Sequence, residues 1–245
     1  MRTALLITVA LCAAQAAAGQ DLPTTASRCG DTTVSSVAGE TVHGIARLPR
    51  RASIPLLAAG AAAALGVHAA DDAAHGGLSS RRTVHELFQP GAMIGSMPFE
   101  AGAAIATMAI GRIGHHPCAA RVGADLLQAQ LVGAAWTTGI KQVVRRSRPE
   151  GTGFSFPSGH TAAAFASATV LQQHFGWKVG LPAYAVASYV AASRVETGKH
   201  YWSDVAFAAA LGIVAGRTMN IGGGHHLLVT PLAAGRGGGA ALTLK

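Results

Sequence analysis

Apolar runs separated by short polar or Gly/Pro breaks occupy the chain from residue 54 to residue 219. The first run, 54–70, ends at Asp71-Asp72, and its length fits either a short transmembrane helix or a buried core helix. Ser79–Phe88 has the pattern of an amphipathic helix that stops before Pro90-Gly91. Further helices are expected over Phe99–Ile113, Ala119–Ser147, Ser158–Phe175, Pro182–Ser193 and Ser203–Met219. The pattern predicts an all-α bundle of about six helices.

Two less apolar segments flank this helical region, which we delimit as residues 51–220. Residues 20–50 are polar and end in a basic stretch, so we expect a poorly ordered or loosely docked lead-in. Residues 221–245 form a glycine-rich tail, in which Leu227–Thr230 and Ala240–Leu244 predict a short β-hairpin.

The first 19 residues have the pattern of a secretory signal peptide. Arg2 precedes a short apolar core, and Ala16 to Gly19 supply the small residues of a cleavage site. A short N-terminal anchor is the alternative. After cleavage, Cys29 and Cys118 remain, and an exported compartment permits either a disulfide or two free thiols. Their spacing does not match a zinc site.

Composition narrows the class of protein further. Half of the residues are apolar and only 12% are charged, against about 25% in soluble domains, so most helix faces are buried by protein or by lipid. The net charge is +8, which suits nucleic acid, an anionic membrane surface or a phosphorylated substrate. Charge alone does not distinguish these partners.

A cationic cluster lies in the segment Lys141–Pro149. Lys141, Arg145 and Arg148 are spaced i, i+4 and i+7, which places three cations on one helix face. Like charges repel, so such a stripe favours a bound anion. A solvated basic face, or the positive flank of a membrane helix, is the alternative.

A second cluster, Phe156–Thr161, begins a predicted helix. Ser158 is a good N-cap, and Gly159 lets backbone N–H groups approach an anion at the helix N-terminus. His160 then lies in the first turn. The alternative is an ordinary capped helix with an incidental histidine.

A third cluster contains Ser193, Arg194, His200 and Asp204. His200 and Asp204 are four residues apart, so the carboxylate can fix the imidazole tautomer and leave the other ring nitrogen free to attack. Arg194 adds a bidentate phosphate donor. A structural His/Asp pair is the alternative.

The three clusters together follow the patterns K-x6-R-P, P-S-G-H and S-R-x5-H-x3-D, in that order. In this the chain resembles the type-2 phosphatidic acid phosphatases, whose superfamily also includes bacterial acid phosphatases and vanadium haloperoxidases. The matching residues are Lys141, Arg148, Pro149, Pro157, Ser158, Gly159, His160, Ser193, Arg194, His200 and Asp204. The resemblance covers about a quarter of the chain.

The resemblance implies a helical phosphatase that forms a phosphohistidine, with its active site at one end of the bundle. His200 would be the nucleophile, Asp204 would orient it, and His160 would be the general acid and base. The phosphate would be held by Lys141, Arg148, Arg194, Ser158 and the Gly159 N–H. We expect no metal and no cofactor, because three cations already supply the positive field.

The resemblance leaves the substrate open among phosphatidate, a polyprenyl diphosphate and a soluble phosphomonoester. We expect membrane association and an exported protein, periplasmic or at the inner membrane, with the active site facing the periplasm. A periplasmic helical domain and a polytopic membrane enzyme both stay open, and the oligomeric state stays undetermined.

Two other functions are alternatives to the phosphatase. A vanadate-dependent haloperoxidase would use His200 as an axial ligand. A non-enzymatic, basic membrane-binding protein would use only the Lys141–Arg148 cluster. No nucleic-acid partner is expected, since no aromatic residue lies between Lys141 and Arg148. The pairs His115-His116 and His225-His226 are predicted to be surface residues.

Overall fold

The computed structural model describes part of the chain. The described residues are Cys29, 32–48, 50–69, Asp71, 82–219, 227–234 and 237–244; for 82–85 and the two C-terminal segments only the backbone is described. The predicted signal peptide and the pair His225-His226 lie outside these residues. His115 and His116 are exposed, as predicted.

The described residues form a helical bundle with a separate two-stranded hairpin, which confirms the all-α class. The count of about six helices was low, because eight are described. They are α1 (Val34–Arg47), α2 (Ile54–His68), α3 (Arg82–Ile94), α4 (Met97–Ile113), α5 (Pro117–Val144), α6 (Gly159–Phe175), α7 (Trp177–Glu196) and α8 (Trp202–Arg217).

Helix α1 lies in the segment expected to be a poorly ordered or loosely docked lead-in. Thr33 caps its N-terminus by accepting from the Ser36 N–H. The helix packs against α5, where Glu40 accepts two hydrogen bonds from the buried Arg121, at 3.2 and 2.8 Å. A disulfide between Cys29 and Cys118 joins the chain before α1 to the start of α5. Contacts with a helix far along the chain thus order this polar segment.

The core lies among α5, α6, α7 and α8, with α2 against the outer side of α8. Small residues let these helices approach closely. A methyl group at Gly212 of α8 would come within 2.3 Å of the Ala162 carbonyl oxygen of α6. Phe165 and Ile213, both fully buried, pack in the same interface. The close contact of α6 with α8 fixes the relative positions of the second and third sequence clusters.

Several helix ends differ from the sequence predictions. Helix α3 was expected to stop before Pro90 but continues through it to Ile94. Proline removes one intrahelical hydrogen bond, and contacts with α7 stabilise the helix around it: Phe88 stacks on Tyr189, whose hydroxyl donates to the Leu87 carbonyl at 2.6 Å. Helix α7 begins at Trp177, five residues before the predicted Pro182, because Gly176 turns the chain directly out of α6.

The glycine-rich tail contains the predicted hairpin, with longer strands than expected. Strand β1 (Leu227–Ala234) pairs antiparallel with β2 (Gly237–Leu244), so that Leu227 lies opposite Leu244 and Ala234 opposite Gly237.

No single described helix is both long and apolar enough to cross a membrane. The segments Glu86–Ile94 and Met97–Ile113 meet these criteria only as a pair, and that pair is bent by 52°.

Candidate active site

The helix ends bring the three sequence clusters to one end of the bundle. Lys141 lies in the last turn of α5, His160 in the first turn of α6, Arg194 in the last turn of α7, and Asp204 in the first turn of α8. Backbone hydrogen bonds connect them: the His200 N–H donates to the Arg194 carbonyl at 3.1 Å, as part of the turn between α7 and α8.

Lys141 is fixed by the loop that connects α5 to α6. Its ammonium group donates to the carbonyl oxygens of Phe154 and Ser155, both at 3.0 Å. An ammonium has three N–H donors, so one remains available for a ligand. Burial, reinforced by the charges of Arg148 and Arg194, lowers the pKa of Lys141 to about 8.

Arg148 and Arg194 complete a set of three neighbouring cations. The Arg148 Nε lies 3.4 Å from the Phe154 carbonyl, which places its guanidinium beside Lys141. Arg194 is 8% exposed, and its Nε is buried without a hydrogen-bond partner among the described residues. A buried, unpaired guanidinium N–H is costly unless a ligand accepts from it. The three cations therefore form a site suited to an anion with several oxygens.

The predicted pair of His200 and Asp204 is present. The His200 Nδ1 lies 3.5 Å from Asp204 Oδ2, longer than an ordinary hydrogen bond, and both residues are buried. The opposite nitrogen, Nε2, is the one left to react. Burial lowers the pKa of His200, and the charges of Lys141 and Arg194 lower it further, against the opposing effect of Asp204. A lowered pKa favours the neutral imidazole, which is the form that can act as a nucleophile.

His160 faces the same cations from α6. Its pKa is lowered to about 4, first by burial and then by Arg194, His200, Arg148 and Lys141. The two imidazoles and the three cations therefore influence one another electrostatically. A bound phosphate dianion would offset the cations, so its arrival would raise the pKa of His160 and favour protonation there.

Ser158 and Gly159 lie at the N-terminus of α6. Ser158 is fully buried; its hydroxyl accepts from the Thr161 N–H at 3.4 Å and from the Thr161 hydroxyl at 3.0 Å. Its side chain is thus occupied mainly as the helix cap. A methyl group at Gly159 would contact only Thr137, at 3.7 Å, so packing within the protein does not require glycine there.

The predicted single cationic face over Lys141, Arg145 and Arg148 is wrong. Helix α5 ends at Val144, three residues before the predicted Ser147, and Arg145 adopts a left-handed backbone conformation with φ of 49°. Arg145 is therefore exposed and bonds to the Gln142 carbonyl, whereas Arg148 reaches the site from the following loop.

Three residues around the site were not singled out from the sequence. Arg146 donates to Asp204 and to Asp71, each at 2.9 Å, and Glu150 lies beside Arg148. Arg146 is adjacent to Arg145, the residue that helical spacing placed in the predicted cationic face. Asp71 follows the first apolar run, and its sequence position indicates only the end of that run.

Glu150 lies at the mouth of the site, between two cations. Its carboxylate pairs with the Lys199 ammonium and lies 3.7 Å from the Arg148 guanidinium. We expect Glu150→Gln to lower KM for a phosphate substrate about two- to fivefold, because it removes an exposed competitor for Arg148. Steady-state kinetics at low and high salt would check this, and an unchanged KM at low salt would contradict it.

The lowered pKa of Lys141 predicts an alkaline limit on substrate capture. Below pH 8 its ammonium is charged; above pH 8 the free enzyme loses this charge, so kcat/KM should fall as pH rises through about 8. A phosphomonoester is already a dianion there, since its second pKa is about 6. In Lys141→Arg the fall of kcat/KM at alkaline pH should move to higher pH by more than one pH unit, because arginine stays charged. If the alkaline fall of kcat/KM stays at the same pH in Lys141→Arg, a group other than Lys141 causes it.

Among the described residues, no group of three His, Cys, Asp or Glu side chains is arranged to hold a metal ion. The site is built from cations, two histidines and one carboxylate. This arrangement is suited to an anion with several oxygens, bound beside two imidazoles.

Comparisons with known proteins agree with this geometry. Residues 133–222, which include every predicted site residue, match the PAP2 superfamily. Lipid A 1-phosphatase from Porphyromonas gingivalis is 41% identical over 96 residues, which cover 38% of this chain and 21% of that protein. Decaprenylphosphoryl-5-phosphoribose phosphatase from Mycobacterium tuberculosis is 37% identical over 99 residues, covering 36% of this chain and 54% of that protein.

The chain thus spans about a fifth of the length of the lipid A 1-phosphatase and about half of the length of the decaprenylphosphoryl-5-phosphoribose phosphatase. The fold is also similar to a solved structure, the transmembrane PAP2 type phosphatidylglycerolphosphate phosphatase from Bacillus subtilis. That comparison has a TM-score of 0.55 at 20% identity and covers 75% of this chain and 92% of that one. The motif spacing, the converged site and the match over residues 133–222 agree that this part of the chain is similar to the PAP2 superfamily.

Proposed function

We propose that the protein is a phosphatase that hydrolyses a lipid phosphate ester or diphosphate through a phosphohistidine at His200. One observation carries the proposal: a buried, neutral His200 backed by Asp204 lies among three cations and a second histidine. A nucleophile, an orienting carboxylate, an acid/base and a charge-stabilising cradle are together sufficient for phosphoryl transfer.

In the first step, the His200 Nε2 attacks phosphorus and the bond to the leaving oxygen breaks. His160 gives its proton to that oxygen, so the product leaves as an alcohol or as a phosphate. In the second step, water attacks the phosphohistidine, His160 takes a proton from the water, and the P–N bond breaks to release inorganic phosphate. Lys141, Arg148 and Arg194 stabilise the charge on the equatorial oxygens in both steps.

The N-terminus of α6 supports the same placement of phosphate. The first amide groups of a helix have no intrahelical partner and carry the positive end of the helix dipole. Glycine at position 159 keeps the approach to these groups open, and no packing contact explains it otherwise. We therefore assign the Gly159 N–H to a phosphate oxygen, and Ser158 to holding that helix terminus in place.

The substrate class is proposed from the relatives' names. A lipid A 1-phosphatase, a decaprenylphosphoryl-phosphoribose phosphatase and a phosphatidylglycerolphosphate phosphatase are each named for a lipid-linked phosphate. We propose a lipid phosphate for this chain too, with association at a membrane and the site on its periplasmic face. The net charge of +8 favours an anionic lipid surface.

A substrate panel tests the proposal. Purified protein would be assayed with phosphatidate, a polyprenyl diphosphate and a soluble alkyl phosphate, each in excess EDTA. We expect hydrolysis in EDTA, faster turnover of the lipid substrates and inhibition by vanadate, which would occupy the phosphate cradle. Activity lost in chelator and restored by a divalent ion would contradict the mechanism, and preference for the soluble phosphate would contradict the lipid assignment.

A further inference from the structure

We infer that Arg146 and Asp71 are positioning residues that act on the nucleophile through Asp204. The inference rests on the proposed role of His200. Neither residue was predicted from the sequence to belong to the site, and neither contacts His200 itself among the hydrogen bonds and ion pairs of the structure.

The Arg146 guanidinium joins two carboxylates. Its Nη1 donates to Asp204 Oδ1 at 2.9 Å and its Nη2 donates to Asp71 Oδ2 at 2.9 Å. The guanidinium plane also lies over the Tyr201 ring, with 3.8 Å from its central carbon to the ring centroid. Contacts at both ends and on one face leave the group little freedom to rotate.

Asp71 fixes Arg146 from the other side. This carboxylate is 2% exposed, and it accepts from the Ser203 N–H at 3.1 Å, from the Ser203 hydroxyl and from His68 at 3.0 Å. Burial raises the pKa of Asp71, but its hydrogen bonds with Ser203, Arg146 and His68 outweigh burial and lower it overall. Asp71 is therefore an anion, held against the first turn of α8, which carries Asp204.

The two oxygens of Asp204 are thereby given different partners. Oδ1 accepts from Arg146, while Oδ2 accepts from the Tyr201 N–H at 2.9 Å and faces His200 Nδ1 at 3.5 Å. Arg146 thus prevents the carboxylate from rotating away from the imidazole. Partners that orient a ligating or catalytic group in this way typically change its performance by about 10- to 100-fold.

Arg146 and Asp71 also set the charge that His200 experiences. The groups acting on the imidazole directly are Asp204 from the first turn of α8, Lys141 from α5, Arg194 from α7 and His160 from α6. Arg146 neutralises part of the negative charge of Asp204, and Asp71 neutralises part of the positive charge of Arg146. Removing the two groups should therefore shift the pKa of His200 in opposite directions.

The experiment compares Arg146→Met and Asp71→Asn with Arg145→Met in the full chain. Arg145 is a matched control because it is adjacent in sequence, exposed and outside the site. We expect Arg146→Met to lower kcat about 10- to 100-fold with KM changed less than about threefold. For Arg148→Met both KM and kcat should be affected, since Arg148 is proposed to bind the phosphate and to stabilise its equatorial oxygens in both steps.

The pH profile of kcat/KM separates positioning from a merely structural role. The acid limb reports the protonation of the free nucleophile. It should move to higher pH in Arg146→Met, where Asp204 is no longer neutralised, and to lower pH in Asp71→Asn. Arg146→Lys, which keeps the charge, should leave the limb near its wild-type position. Thermal unfolding of each variant identifies any that has lost its fold, and Asp71→Asn is nearly isosteric.

The inference would be overturned if Arg146→Met had the same kcat and KM as Arg145→Met. It would also be overturned if the acid limb of the kcat/KM profile lay at the same pH in Arg146→Met and Asp71→Asn. His200→Ala is run in parallel. Normal turnover in His200→Ala would overturn the proposed function itself, whereas an inactive His200→Ala beside a fully active, folded Arg146→Met would overturn only the positioning role.

Discussion

The variant His200→Ala is expected to lose at least about 10⁴-fold in kcat, because it removes the atom that forms the covalent intermediate. The loss should be the same for a good and a poor leaving group, since attack on phosphorus precedes product release for both. Vanadate should still bind, because Lys141, Arg148 and Arg194 remain.

The fold of this variant should survive. Asp204 keeps its hydrogen bonds from Arg146 and from the Tyr201 N–H, so no carboxylate is left without a partner. Near-wild-type turnover in folded His200→Ala would remove His200 from the mechanism and assign the attack on phosphorus to another group.

The second large effect concerns His160, whose importance should depend on the leaving group. Nitrophenolate is stabilised and needs little protonation, whereas an alkoxide is strongly basic and needs much. General acid catalysis is worth about 10²- to 10⁴-fold. His160→Ala should therefore slow hydrolysis of an alkyl phosphate by this factor and slow the first turnover of p-nitrophenyl phosphate far less.

The burst phase is the measurement that isolates this role, because His160 is also proposed to activate water in the second step. Pre-steady-state release of nitrophenol and of alcohol would be compared for wild type and His160→Ala. Equal losses with both substrates in the burst phase would assign His160 to phosphate binding or to the structure of the α6 N-terminus.

The site could be predicted from the sequence where the chemistry is carried by short segments. Ser158 to His160 form the start of α6, and His200 to Asp204 run from the turn before α8 into its first turn, so local spacing fixes their relative geometry. The error at Arg145 has a local cause too. Extending helical spacing one turn beyond Val144 exchanged the roles of two adjacent arginines, because the left-handed Arg145 turns the chain before Arg146.

Contacts between segments far apart in the chain could not be predicted from the sequence. Arg146 and Asp71 are 75 residues apart, and Arg121 and Glu40 are 81 residues apart. No periodicity or motif encodes such a pairing; it appears only when the helices pack. For the same reason α1 was missed, since its polar sequence is ordered by contacts with α5, and α3 was ended too early at Pro90, where packing on α7 compensates for the lost hydrogen bond.

The proposed intermediate is a phosphate covalently bound to His200, and it can be trapped. Wild-type protein would be mixed with ³²P-labelled substrate, quenched in alkali within milliseconds, and the labelled peptide identified by mass spectrometry. We expect an acid-labile, alkali-stable phosphate on His200, present in wild type and absent in His200→Ala. Turnover without any trapped phosphoenzyme, or a label on another residue, would contradict it.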